Sequence, residues 1–145
     1  MFRNIVLGAA AALLVATGAS AASKITIGMA PNLQTLPIVV AMSEGYFAEE
    51  DIELNSVKFT SGRRALEALI GGQLDVAFMA EYPVSIASLR KQPFGTFTTL
   101  SRYTANRMIS KGSIGFKDPS SLNGKKIGTT KGSNTEFFTE ALIEK

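Results

Sequence analysis

Apolar residues at Ala65, Leu66, Ala68, Leu69 and Ile70 recur at three-to-four-residue spacing and predict a helix with a broad buried stripe. On either side of it the period changes. Residues 52–59, Ile52-Glu53-Leu54-Asn55-Ser56-Val57-Lys58-Phe59, alternate apolar and polar as a strand does. Val76-Ala77-Phe78-Met79 is a short continuous apolar run, the pattern of a strand buried on both faces of a parallel sheet. Ser61-Gly62 turns the chain into the helix, and Gly71-Gly72 turns it out again. Residues 59–79 therefore read as one βαβ unit with a right-handed crossover. Its two loop ends, residues 60–63 and 80–84, fall at the carboxyl edge of the sheet, where open α/β sheets bind ligands.

The remaining segments follow the same grammar. Lys24-Ile25-Thr26-Ile27-Gly28-Met29 alternates as a first strand and ends in the loop Ala30-Pro31-Asn32. Thr35 or a neighbour can cap a helix with Pro37 in its first turn, where a missing N–H costs nothing, and that helix stops at Gly45. A short helix is expected around residues 83–89, a β-rich run at residues 96–100, a strand at residues 126–130, and an extended or irregular stretch over residues 106–113. Lys131-Gly132-Ser133 then leads into a helix from Asn134 onward, with Ser133 and Glu136 at capping-box spacing. The sequence stops at Lys145 inside that helix, with no partner strand after it, so the chain is read as the amino-terminal part of a longer protein.

Residues 1–21 change the picture of where the protein works. Arg3 supplies a positive start, Ile5 to Val15 an apolar core, and Ala19-Ser20-Ala21 an A-x-A cleavage site, the three parts of a secretory signal. The alternative is a retained anchor, but the apolar run falls short of the about 20 residues that span a bilayer. Without Arg3 the 15 basic residues become 14 against 12 acidic ones, a balance that gives no support to nucleic-acid binding. The 46% hydrophobic and 19% charged content is that of a globular chain. There is no cysteine, so an exported form must rely on its core and not on disulfides.

Chemistry is narrowed by absences as well. With no histidine and no cysteine, the chain cannot build a Ser-His-Asp arrangement, a thiol nucleophile or a His/Cys metal site. No glycine-rich phosphate loop follows a strand. No catalysis, no cofactor and no metal are expected.

Several further pieces stand in a specific order: Pro37…Val40-Ala41…Glu44-Gly45-Tyr46-Phe47, then Ile52-Glu53-Leu54 with Phe59…Ser61-Gly62, Ala65-Leu66-Glu67-Ala68-Leu69, Gly72-Gln73-Leu74-Asp75-Val76-Ala77, Leu122-Asn123-Gly124-Lys125-Lys126-Ile127-Gly128 and Gly132-Ser133. Together they resemble the substrate-binding proteins of ABC importers that include the aliphatic-sulfonate, taurine and nitrate binders and the thiamine-pyrimidine-precursor binders. The resemblance implies an α/β, two-lobed periplasmic-binding-protein type II architecture, truncated here within the second lobe. Residues 1–21 would be the signal peptide, 22–103 the first part of lobe one, and 104–145 the hinge crossing and the first part of lobe two. It also implies a periplasmic, monomeric protein that takes a small-molecule ligand to an inner-membrane ABC permease, with no nucleic acid and no stable membrane insertion after signal cleavage. A periplasmic sensor domain of the same fold is the alternative. A pyrimidine-biosynthesis-like enzyme is disfavoured, because such relatives use histidine- and cysteine-bearing motifs that this chain lacks.

On that architecture four loops are expected to meet the ligand. Asn32, Leu33 and Gln34 follow the first strand and offer amide donors and acceptors, or else form an ordinary turn that caps the next helix. Ser61 and Gly62 stand at a helix amino terminus suited to an anion, with Ser61 as a plain cap the bland reading. Glu81 could hold a cationic group and Tyr82 could stack on a ring, unless Glu81 faces solvent or pairs with an arginine. Gly132, Ser133, Asn134 and Thr135 form a second helix start, with Glu136 assigned to the capping box. Arg102 and Arg107 could reach an anion bidentately but are assigned to surface or hinge salt bridges. The opposed demands of Ser61-Gly62 and Glu81-Tyr82 suggest a ligand that is not a bare anion.

Overall fold

The computed structural model describes residues 21–104 and 106–144, so the leader read over residues 1–21 lies, apart from Ala21, outside the described residues. Three parallel strands form the sheet: β1 (Ser23–Met29), β2 (Ile52–Lys58) and β3 (Val76–Ala77), in the order β2-β1-β3. Between β1 and β2 lie α1 (Leu36–Ser43) and the short α2 (Tyr46–Glu49); α3 (Gly62–Ile70) joins β2 to β3. The βαβ unit of residues 59–79 is present, but its two strands do not touch. Its crossover passes over β1, which pairs with both, Ser23 to Ile52 and Ile27 to Val76 among the partners. The strand order thus turns back at β1, and the carboxyl ends of β1 and β3 stand side by side as a topological switch point.

Alternation along β1 explains both faces of the sheet. Ile27 and Met29 pack with Ile38 of α1, and Phe47, Leu54, Val76 and Phe78 close around them. Gly28, on the other face, meets Phe59 and Leu74. The stripe of α3 is buried as expected at Ala65, Leu66 and Ala68, and α3 contacts both β1 and β3. The order β2-β1-β3 makes the two crossovers run in opposite directions, and the right-handed rule for parallel crossovers then predicts α1–α2 and α3 on opposite faces.

Several expectations need correction. Strand β3 is two residues long where residues 76–79 were expected, although Asp75 N–H donates to Thr26 O (3.0 Å) and Phe78 N–H to Gly28 O (2.9 Å). Residues 96–100 and 126–130 form no strand, because no ladder partner pairs with them among the described residues; β-propensity alone does not make a strand. Helix α4 (Glu81–Leu89) begins two residues earlier than expected, so Glu81 and Tyr82 belong to its first turn and not to a loop. Helix α5 (Asn134–Ile143) starts where the sequence indicates, but the capping box does not form. Ser133 Oγ donates to Thr130 O (2.5 Å) and lies 2.7 Å from Thr135 Oγ1, while Glu136 Oε2 accepts from Gly132 N–H (2.6 Å), one residue before the expected donor.

Candidate functional site

The amino termini of α3, α4 and α5 converge beyond the carboxyl edge of the sheet. At α3, Ser61 Oγ accepts from Arg64 N–H at 3.4 Å and caps the helix. Arg63, in the same first turn, donates Nε–H to Glu67 Oε1 (3.0 Å) and Nη1–H to Lys131 O (3.5 Å), which brings α3 onto the loop before α5. Gly132 sits under that guanidinium with φ of 72°, and a Cβ there would fall 2.5 Å from Arg63 Cδ. Only a residue without a side chain allows both the left-handed turn and the arginine above it.

Between α4 and α5 the link is closer. Ala80, the residue before α4, has no side-chain acceptor for the exposed helix donors. Asn134 Oδ1, from the first position of α5, accepts Tyr82 N–H at 3.1 Å instead. The Tyr82 ring lies against Phe137, with centroids 5.3 Å apart and planes at 32°, and Phe137 in turn packs edge-on to Phe138 at 5.2 Å. Asn134 is only 6% exposed, so its amide belongs to the packing between the two helices.

Beside this junction lies a cavity of about 750 Å³. The helices contribute Glu81, Asn134 and Phe138; the connecting segment contributes Thr99, Ser101, Arg102, Tyr103, Thr104 and Asn106. Its chemistry is mixed: a carboxylate and a guanidinium, hydroxyls that donate and accept, amides, and two aromatic rings. Neither Glu81 nor Arg102 forms an ion pair among the described residues, where the three pairs found are Lys24–Glu53, Arg63–Glu67 and Arg64–Glu67. Both charges therefore remain available to a bound molecule. A second cavity of about 380 Å³, largely apolar, lies beside β1 and α1 and is lined by Met29, Thr35, Val39 and Lys58 among others.

Of the residues expected from sequence, Glu81 and Asn134 line the larger cavity, and Tyr82, Ser133 and Thr135 stand next to those that do. Asn32, Leu33 and Gln34 line neither cavity. Asn32 Oδ1 accepts from Gln34 N–H (3.0 Å) and Thr35 N–H (3.2 Å), and Thr35 Oγ1 lies 3.3 Å from the Asn32 N–H it accepts, so this loop is engaged as a cap. Gly62 leaves room for the end of β3 rather than for open space, since a Cβ there would meet Met79. Arg102 departs from its assignment to a salt bridge: it faces the cavity, whereas Arg107 Nη1–H bonds Asn106 O at 3.0 Å. Thr99, Ser101, Tyr103, Thr104 and Asn106 were not singled out, because an irregular segment carries no period that would mark a face. The hydroxyl-rich run between Thr96 and Thr104 was the available signal.

Among the described residues no group of three or more His, Cys, Asp or Glu side chains is placed to hold a metal ion, and no helix is long and apolar enough to cross a membrane. Comparison with curated proteins finds the "Putative aliphatic sulfonates-binding protein" of Bacillus subtilis (strain 168), 30% identical over 142 residues. That match covers 90% of this chain and 42% of the relative, so the chain spans less than half of the relative's length. No solved structure matches significantly. The family model described as "NMT1/THI5 like" matches residues 32–145, the part that holds all three helix termini and the cavity, and the chain belongs to that family.

Proposed function

We propose that this chain forms part of an extracytoplasmic solute-binding protein that captures a small anionic or zwitterionic molecule and delivers it to an ABC permease, without chemistry on the solute. The observation that carries the reading is the cavity where α4 and α5 meet, which presents Glu81 and Arg102 with no ion-pair partner among the described residues, in a chain of this family. A guanidinium beside hydroxyls suits a sulfonate, carboxylate or phosphate oxygen. Glu81, at the same cavity, suits an ammonium or a ring nitrogen. A molecule with both ends fits better than a bare oxyanion, which the carboxylate would repel. The aliphatic-sulfonate name of the Bacillus subtilis relative supports an organic anion as the first class to test.

The test is a thermal-shift screen of the full-length protein with taurine, ethanesulfonate, nitrate, amino acids and pyrimidines. A ligand present at a hundredfold excess over its Kd stabilises the folded state by about 2.7 kcal/mol. Taurine and other zwitterions are expected to shift the melting temperature more than ethanesulfonate, and Glu81→Gln is expected to abolish that preference. Equal shifts for both ligands in the wild type would remove Glu81 from the site; no shift with any probe would sink the reading.

A further inference from the structure

The junction of α4 with α5 assigns Asn134 a specific task. A backbone N–H only donates, so the atom of Asn134 that meets Tyr82 N–H at 3.1 Å must be the amide oxygen, which fixes the orientation of the whole side chain. This oxygen supplies to α4 the cap that Ala80 lacks, and it does so from a different helix some fifty residues away in sequence. Asn134 is almost fully buried and Tyr82 is half-buried, so the bond is partly shielded from competing water. The same Tyr82 also holds Phe137 through its ring, so one residue of α4 grips two of α5 by independent means. Between α4 and α5 the described residues form only two short 3-10 turns, Gly112–Ile114 and Pro119–Leu122, so this connection supplies no long element that bridges the two helices. The cavity walls are the immediate neighbours of this grip: Glu81 precedes Tyr82, and Phe138 follows Phe137.

We propose that Asn134 is a positioning residue: by capping α4 from α5, its amide oxygen sets the separation of Glu81 from Phe138 and thereby the affinity of the cavity for its solute. Asn134 then acts on binding through Tyr82. Its contribution depends on accepting a hydrogen bond, and any side chain that still accepts from Tyr82 N–H should preserve it. This inference rests on the proposed solute site for its affinity readout, but not for its structural readout.

The experiment uses the full-length protein with cysteines introduced at Ser88 of α4 and Glu140 of α5, both exposed; residues 1–145 hold no cysteine of their own, and any outside them is replaced by serine. Spin labels there report the distance between the helices, and taurine binding is measured by calorimetry on the same variants. Asn134→Ala is expected to lengthen and broaden the label distance and to weaken taurine binding about tenfold, mainly through faster dissociation. Asn134→Asp, which still accepts from Tyr82 N–H, is expected to keep the wild-type distance; because position 134 also lines the cavity and the variant adds a charge there, only the distance is read from it. Phe137→Leu, which leaves the cap intact and loosens only the ring contact, should give a smaller change of distance than Asn134→Ala. An unchanged distance in Asn134→Ala, or equal opening in the Asp and Ala variants, would overturn the proposal. If taurine does not bind the wild type, the label distances alone decide the role of Asn134, and the solute reading is decided by the screen with the other probes.

Discussion

A Cβ placed on Gly62 would lie 2.8 Å from Met79 Cβ and 2.9 Å from Met79 Cα. The first turn of α3 thus rests directly on the backbone that leaves β3, and only glycine permits it. Because one of the opposing atoms is main chain, relief requires moving the strand end that leads into α4. Gly62→Ala is therefore expected to destabilise the fold by about 1–3 kcal/mol, the usual cost of overpacking a close contact. A urea titration followed by circular dichroism measures it. A midpoint equal to or above wild type would show that the strand end yields at no cost.

Asn32 is the acceptor for two backbone donors at the start of the 3-10 turn Leu33–Thr35, and Thr35, which returns the bond, is 1% exposed. Asn32→Ala should lower stability by about 1 kcal/mol through loss of the cap. Asn32→Asp should retain most of it, since the carboxylate also accepts. If Asn32 contacts solute as well, both variants weaken binding; if it is a cap alone, taurine affinity at saturating folded protein stays at the wild-type value. Calorimetry beside the urea titration separates the two effects.

The elements that sequence made legible are those whose burial imposes a period. The stripe of α3 and the alternation of β2 appear in the structure with bounds close to those expected, because one face of each is held against a partner. The runs at residues 96–100 and 126–130 have strand-like composition but no ladder, and composition cannot reveal a missing partner. At the candidate site, Glu81 was singled out from its place after the third strand, at the edge where parallel sheets meet ligands, and it lines the cavity. The task of Asn134 was not, since a cap given from one helix to another leaves no local signature in either. Arg102 was visible as a charge, but its direction depends on an irregular segment that no pattern constrains.

Asp118 heads the 3-10 turn Pro119–Leu122, which buries Leu122. The Ser120 hydroxyl beside its carboxylate, at 2.5 Å, holds its pKa below the ordinary value of 3.8; desolvation opposes it, and the backbone N–H of Ser121 adds a lesser downward pull. A lowered folded value means that the turn gains its support above the ordinary carboxylate range and loses it as pH falls through the folded pKa. The Ser121 amide resonance should titrate with a midpoint below 3.8 in the wild type. Asn at position 118 still accepts but carries no proton to lose, so Asp118→Asn should abolish that step and leave the turn in place at neutral pH. A midpoint at or above 3.8, or the same step in both proteins, would contradict the assignment.

Arg102 and Arg107 lie five residues apart on the same connecting segment, but only Arg102 lines the cavity. A charge-assisted hydrogen bond from a guanidinium to an anionic group contributes about 1.5–3 kcal/mol. Arg102→Gln is therefore expected to weaken taurine binding by about ten- to a hundredfold, with little change in melting temperature, because the side chain makes no ion pair among the described residues. Arg107→Gln removes the same formal charge from the same region. If the effect of Arg102 is contact and not long-range attraction, Arg107→Gln leaves affinity within about twofold, and the difference between the variants persists at high salt, where steering by distant charges is screened. Equal losses in both variants that disappear in salt would assign the arginines to steering alone and leave the anionic end of the solute to the hydroxyls of Thr99, Ser101 and Thr104.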